Sequence, residues 1–329
     1  MITDLQLLPP AIIIGIVSLF GLLFGSFLNV VIYRMPKKLD QEQDEGIADY
    51  LEQKVTKKET LGFIPLGYKC PHCNTSSQLD QGVYVLTEKD RLTPAPTFNL
   101  MVPGSACPGC GHKIKWWENI PVLSWLLLRG KCSSCKSKIS FRYPFVELLT
   151  AIFFGIVAWH FGASVQTLLW SFFVFVCIAI AGIDWDTTWL PDSLSLPLMW
   201  MGIIAALSGW TISIPSAIWG AIIGYMTLWL LATAFHYATG RIGMANGDFK
   251  LLAALGAWFG WEFLLPIALL SSVVGIIAYI TLKLVQSQTG LFENKYMPFG
   301  PFLVGAGLLL LTITPAKFQQ MFPVLVLGF

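Results

Sequence analysis

Long apolar runs follow one another along most of the chain, and their lengths decide what it can be. A helix that crosses a bilayer needs about 20 mostly apolar residues. Eight runs reach or approach that length, at 8–32, 146–161, 165–183, 194–210, 215–235, 251–265, 267–284 and 302–313. The sixth and seventh are nearly continuous, and Pro266 is the expected break between them. Residues 34–143 interrupt the pattern after the first run. Within them, 39–81 is acidic, basic and glutamine-containing by turns and reads as an extended loop with some helix. The first run lacks a basic flank before Arg34, unlike a cleaved signal peptide, so it is read as a retained membrane helix.

Charge sharpens this division. The 329 residues are 55% hydrophobic and only 12% charged, where a soluble domain carries about 25% charged residues. Of 21 Lys and Arg, 16 lie between Arg34 and Arg142, with 11 of the 19 acids. One polar domain is therefore inserted into a membrane protein. Basic loops stay in the cytoplasm. Placing 34–143 there puts the loops at 184–193, 236–250 and 285–300 on the same side, with Arg241, Lys250, Lys283 and Lys295 in them or at their margins. Only Lys317 falls outside this pattern. Basic and acidic residues interleave, and no dense basic stripe marks a nucleic-acid partner.

Six of the seven cysteines form Cys-x-x-Cys pairs in the polar stretch, and Cys177 lies in an apolar run as a small core residue. Cys107 and Cys110 are separated by 21 residues from Cys132 and Cys135, a zinc-ribbon spacing. Four thiolates at tetrahedral angles suit Zn²⁺ and leave no open position, so the metal is expected to be structural. Redox thiols and unligated cysteines are the alternatives, and a reducing cytoplasm argues against disulfides. Cys70 and Cys73 form an extra pair that would recruit His72 or His112 for a second mixed site, compete with the main one, or stand partly or wholly empty.

Acids are scarce in the apolar region, and an ionisable residue there marks a functional site by default. Asp184, Asp186 and Asp192 follow the third run, and Asp248 precedes the sixth. All four fall on the expected cytoplasmic face. Two carboxylates held together cannot both ionise easily; one keeps a proton while the other acts as base on water, as in aspartic proteases. Asp192, after Pro191, reads as a helix N-cap, and Asp186 as a solvated charge. Arg142 reads as an interfacial anchor rather than a partner of Glu147. Lys250 reads as another anchor, and Glu262 as an acid near the outer surface. Trp116, Trp117 and Trp189 suit interfacial belts.

Five stretches resemble the bacterial prepilin peptidases of type IV pilus and type II secretion systems. They are Gly25-Ser26-Phe27-Leu28-Asn29 through Pro36; Leu128-Arg129-Gly130-Lys131-Cys132 through Leu148; the loop from Gly182 through Asp184 to Asp192; Gly243 through Gly247-Asp248 to Lys250; and Met297-Pro298-Phe299-Gly300-Pro301-Phe302. The resemblance excepts roughly 40–105. It implies that Asp184 and Asp248 are the catalytic pair, the latter in a Gly-x-Gly-Asp type motif whose first glycine is Ala245 here. It also implies cleavage of the basic leader of prepilins and pseudopilins after a glycine. The new N-terminus is then methylated with S-adenosylmethionine, in a region sensitive near Gly130. No Gly-rich Rossmann motif for that cofactor occurs.

The expected fold is thus mainly α: a polytopic membrane helical bundle of about eight transmembrane helices, with a small cytoplasmic zinc-ribbon-like domain inserted after the first. The expected divisions are 1–33, the first helix; 34–143, the zinc-binding and methyltransferase-associated domain; and 144–329, the membrane-embedded peptidase domain in the bacterial inner membrane. A peptidase without methyl transfer, a zinc-ribbon scaffold of a secretion system and an ion-binding transporter are the alternatives. The transporter predicts acids deep inside helices.

Overall fold

A computed structural model describes residues 8–56, 99–102, 104–241, 243–289 and 297–313; of 44–56, 282 and 285–289 it describes the backbone alone. The extra Cys70–Cys73 group, Lys295 and Lys317 lie outside the described residues. By backbone contacts the chain divides into two compact units, one of residues 33–106 and the other of 1–32 with 107–329. In the smaller unit Arg34 is buried and donates to the carbonyls of Asn99 and Leu100 at 3.2 and 3.3 Å. The Asn99 side chain in turn accepts from the N–H groups of Met101 and Val102.

Each of the eight apolar runs belongs to a helix. They are α1, Pro10–Thr56; α3, Arg142–Phe161; α4, Val165–Thr187; α5, Asp192–Leu207; α6, Ile214–Thr239; α7, Asn246–Phe259; α8, Leu264–Thr289; and α9, Gly300–Thr312. A five-residue α2, Leu123–Leu127, lies in the cysteine region. Among the described residues, five helices are long and apolar enough to cross a membrane: α1, α3, α4, α6 and the α8 segment. The helices α5 and α9 are apolar but shorter.

The first helix runs past its apolar part through a run of helix-favouring Lys, Gln, Glu and Leu residues, interrupted only by Pro36 and Gly46 as strong helix opponents. The break between the sixth and seventh runs falls before Pro266, at Gly260, whose φ of 91° no side-chain residue adopts easily. A single 3-10 turn at Trp261–Phe263 follows, and Pro266 sits in the first turn of α8, where a proline is tolerated.

The fourteen residues of α7 rise about 21 Å and are almost wholly buried from Asp248 onward. Small residues make this possible. A β-carbon on Gly220 or Gly256 would overlap the other's carbonyl, and one on Gly224 would meet the Leu252 carbonyl at 2.7 Å. Helices α6 and α7 therefore touch backbone to backbone, the small-xxx-small contact by which helices associate where no hydrophobic effect separates them from lipid. Trp258 anchors the far end. It is fully buried, donates from Nε1 to the Leu198 carbonyl at 2.8 Å, and packs against Trp170 and Phe173 at 5.0 Å between ring centres.

Candidate active site and metal centre

Asp184 lies in the last turn of α4 rather than in the loop beyond it, and Asp248 lies in the first turn of α7. Thr188 ends α4 in the left-handed conformation and returns its N–H to the Asp184 carbonyl at 2.8 Å. Ala245 is the residue before α7, exposed and extended at φ −81°. A position with negative φ and open surroundings does not require glycine, which accounts for alanine there. Gly247 is different: a β-carbon on it would meet Leu190 Cβ at 2.6 Å.

The ends of α4, α5, α7 and α9 come together at one end of the bundle. Asp184 and Asp248 are 2% and 6% exposed, and Asp248 lies within the electrostatic reach of Asp184. The Gly300 N–H, at the start of α9, donates to Asp184 Oδ2 at 2.9 Å. Asp248 Oδ1 is buried with no hydrogen-bond partner among the described residues. Buried polar atoms are paired as a rule, so this carboxylate oxygen is open to a hydrogen-bond partner from outside the described residues.

The surrounding charges are spoken for. Lys250 pairs with Asp192 at 2.7 Å, joining α7 to α5. Asp192 is the first residue of α5 and Pro191 the capping position, so the N-cap expected of Asp192 is not made. Its carboxylate turns to the lysine instead. Arg142 grips both oxygens of Asp186 at 2.7 Å and donates to the Gly182 carbonyl at 3.2 Å. It is thus a brace between α3 and α4 rather than a lone anchor. Glu262 accepts from the Ser216 hydroxyl at 2.7 Å at the opposite end of α7.

Glu147, on α3, accepts from the Val122 N–H at 2.7 Å. Val122 has φ 59°, an outlier for a β-branched residue. The buried acid holds that turn in place. Close approach of α1 to α3 depends on Gly25, whose β-carbon would lie 2.7 Å from Glu147 Cα. Asn29 adds a bond to the Tyr143 carbonyl at 3.2 Å.

The four cysteines at 107, 110, 132 and 135 gather with their sulfurs all within 4.8 Å of one another. Tetrahedral thiolates bonded to a metal at about 2.3 Å sit about 3.8 Å apart, and Cys107 and Cys135 Sγ are separated by 3.8 Å. The two halves repeat one fold. Cys107 N–H donates to the His112 carbonyl and Gly111 N–H returns to Cys107; Cys132 N–H donates to Ser137 and Lys136 N–H returns to Cys132. Gly111 and Lys136, the fourth residue after each first cysteine, both have positive φ, 70° and 61°.

The thiols do not titrate alike. The Ser137 hydroxyl and the Gly109 N–H bring Cys107 down to about 6. Cys110 goes the other way, to about 11: the His112 backbone favours its thiolate, but the crowding of Cys135 and the other sulfurs outweighs it. Four sulfurs at this spacing can hold a cation between them once deprotonated, and the donor set fits a soft dication. Nearby, the Lys115 N–H, aided by Ser133 and His112, holds Glu118 down to about 2.

Gly130 has φ 64°, and a β-carbon there would meet the Trp125 ring at 2.9 Å. Its N–H donates to the Trp125 carbonyl at 2.9 Å, and its carbonyl accepts from Ile139 at 2.7 Å. The glycine is required by the turn that carries Cys132 back toward α3.

Bundle and site together define a polytopic helical membrane protein with two buried acids at one end and a four-cysteine cluster that could hold a metal ion. Residues 19–161 match the model of the Bacterial Peptidase A24 N-terminal domain, and 171–280 that of the Type IV leader peptidase family. The chain is 39% identical over 310 residues to a prepilin leader peptidase/N-methyltransferase of Neisseria gonorrhoeae, covering 94% of this chain and 93% of that one. Proteins of the same name from Pseudomonas aeruginosa and Dichelobacter nodosus are 43% and 42% identical over 290 and 303 residues. These cover 88% and 92% of this chain and 86% and 92% of theirs. No solved structure matches the chain. The chain belongs to the type IV leader peptidase family.

Proposed function

We propose that this protein is a prepilin peptidase that also N-methylates its product, with Asp184 and Asp248 as the catalytic pair. The observation that carries the reading is the convergence of these two buried acids, distant in sequence, at one end of the bundle. A water oxygen attacks the carbonyl carbon of the scissile glycine while one carboxylate takes its proton. The other carboxyl gives a proton to the departing amine as the C–N bond breaks. The paired groups share their protons, so base and acid are properties of the pair. Asp248 Oδ1, with no partner among the described residues, supports a place for a reacting water.

Location and partners follow from the same reading. The basic residues of 34–143 favour a cytoplasmic position for that region and for both aspartates, in a bacterial inner membrane. A prepilin or pseudopilin would present its basic leader there while its apolar helix lies in the bilayer. The divisions 1–33, 34–143 and 144–329 then serve as first helix, methyltransferase-associated domain and peptidase domain. Cys107, Cys110, Cys132 and Cys135 would hold zinc, whose four thiolates leave it structural and outside the hydrolytic steps. S-adenosylmethionine supplies the methyl group, and the Gly130 turn supports the region that receives the new amine.

Purified protein incubated with a prepilin carrying its leader, with and without S-adenosylmethionine, tests this reading. Mass spectrometry is expected to find a pilin cut after the leader glycine, and 14 Da heavier, about one CH₂, when the donor is present. An intact prepilin would reject the peptidase assignment; a cut but unmethylated pilin would reject the second activity.

A further inference from the structure

We propose that Gly300 and Leu190 are positioning residues of the peptidase site: the Gly300 N–H fixes the Asp184 carboxylate, and Leu190 locks the two aspartate segments together. The inference rests on the reading of Asp184 and Asp248 as the catalytic pair and deepens it.

Three separate parts of the chain meet at Leu190. Its side chain is 5% exposed and is the nearest neighbour of any β-carbon placed on Gly247, with Cβ at 2.6 Å and Cδ1 at 3.0 Å. Its other branch reaches Gly300, where Cδ2 would lie 3.3 Å from an added β-carbon. One leucine therefore fills the space left by two missing side chains, one beside Asp248 and one beside Asp184. The next residues, Pro191 and Asp192, begin α5, and the Asp192–Lys250 pair ties the same two segments again.

Gly300 acts more directly. Its N–H holds Asp184 Oδ2 at 2.9 Å, and a methyl group at this position would lie 2.6 Å from that oxygen and 3.2 Å from Cγ. The backbone of Asp184 belongs to a helix turn capped by Thr188. Relief therefore comes most cheaply by rotating the carboxyl group, which breaks the bond that aims it. Alanine at 300 would leave Asp184 present but misdirected. Gly305, five residues on in α9, has nothing within 4 Å of an added β-carbon and serves as control.

Steady-state cleavage of a full-length prepilin by the purified, lipid-reconstituted protein separates the possibilities. Gly300→Ala is expected to lower kcat about 100-fold, the cost of misplacing a reacting group by an ångström or so. Its KM should stay within about twofold, since only the reacting geometry has changed. Gly305→Ala should behave as the parent. Leu190→Ala should lower kcat in the same sense, and Leu190→Met, which conserves volume, should restore most of it. Methyl transfer to an already cleaved pilin should survive in each variant. Parental kcat in Gly300→Ala overturns the proposal, as does a loss in which cleavage and methyl transfer fall together. Asp184→Asn, assayed alongside, tells the two levels apart. If it cleaves normally, the catalytic pair itself is misassigned; if it is inactive while Gly300→Ala is normal, only the positioning roles fall.

Discussion

Asp184→Asn and Asp248→Asn are each expected to reduce prepilin cleavage by at least about 10³-fold, toward the upper range for loss of a general acid or base. The amide keeps the shape of the carboxyl group, and an asparagine at 184 still accepts the Gly300 N–H through its carbonyl oxygen. Neither change removes an apolar contact, so the bundle should remain folded. Methyl transfer to a pilin supplied without its leader should persist, because no step of it uses these groups. Cleavage time courses read by gel or mass spectrometry check the first expectation, and the 14 Da mass increase, about one CH₂, checks the second. Residual cleavage above a tenth of the parental rate in either variant would remove that residue from the chemistry.

Loss of the metal should have the opposite selectivity. A four-thiolate zinc knuckle owes its fold to the ion, with apparent binding free energies of about 10–16 kcal/mol in isolated zinc fingers. Cys132→Ser removes a buried ligand and the start of the second half-knuckle. Bound zinc measured by mass spectrometry of metals should fall to background. The amides of Cys107–Gly111 and Cys132–Ser137 should then exchange with solvent rapidly. Methyl transfer is expected to be lost, because the Gly130 turn is held by the same strands of chain. Cleavage should continue at a reduced rate, since hydrolysis draws on α4, α7 and α9 and no step passes through the metal. Retention of full methyl transfer in a zinc-free protein would separate the knuckle from that activity.

Much of this arrangement is legible in the amino-acid order, for a physical reason. Acids are so costly among apolar residues that Asp184, Asp186, Asp192 and Asp248 stand out, lysine and arginine asymmetry puts them on one expected face, and the resemblance to leader peptidases selects Asp184 and Asp248 among them. Cysteine spacing points to the four-sulfur cluster because two Cys-x-x-Cys turns present four sulfurs together. What sequence hides is mostly backbone. The Gly300 N–H on Asp184 leaves no side-chain signature, although the proline after it and the glycine itself suggest a helix start. Leu190 looks like any other leucine until its two glycine neighbours are seen across the bundle. Lys136 gives no sign that it adopts the left-handed conformation of its counterpart Gly111.

Other differences come from partners that only the fold supplies. Asp192 is a plausible cap by type, but Pro191 holds the capping position and Lys250 lies within reach, so the carboxylate pairs with the ammonium. Arg142 resembles an interfacial anchor until α4 brings Asp186 and the Gly182 carbonyl beside it. Pro266 suggests a break, yet a proline in a first turn costs little. Gly260, which alone among its neighbours adopts a positive φ, sets the break instead.

The claim beneath all of this is that residues 184 and 248 face one another across a single site, and chemical cross-linking addresses it directly. Cysteines placed at both positions, in membranes, would be treated with a short bifunctional thiol-alkylating reagent and the digested protein analysed by mass spectrometry. The predicted product is a peptide pair joining the end of α4 to the start of α7, formed less readily when prepilin is bound. Independent labelling of the two cysteines with no joined peptide, or labelling from opposite sides of the membrane, would contradict the shared site.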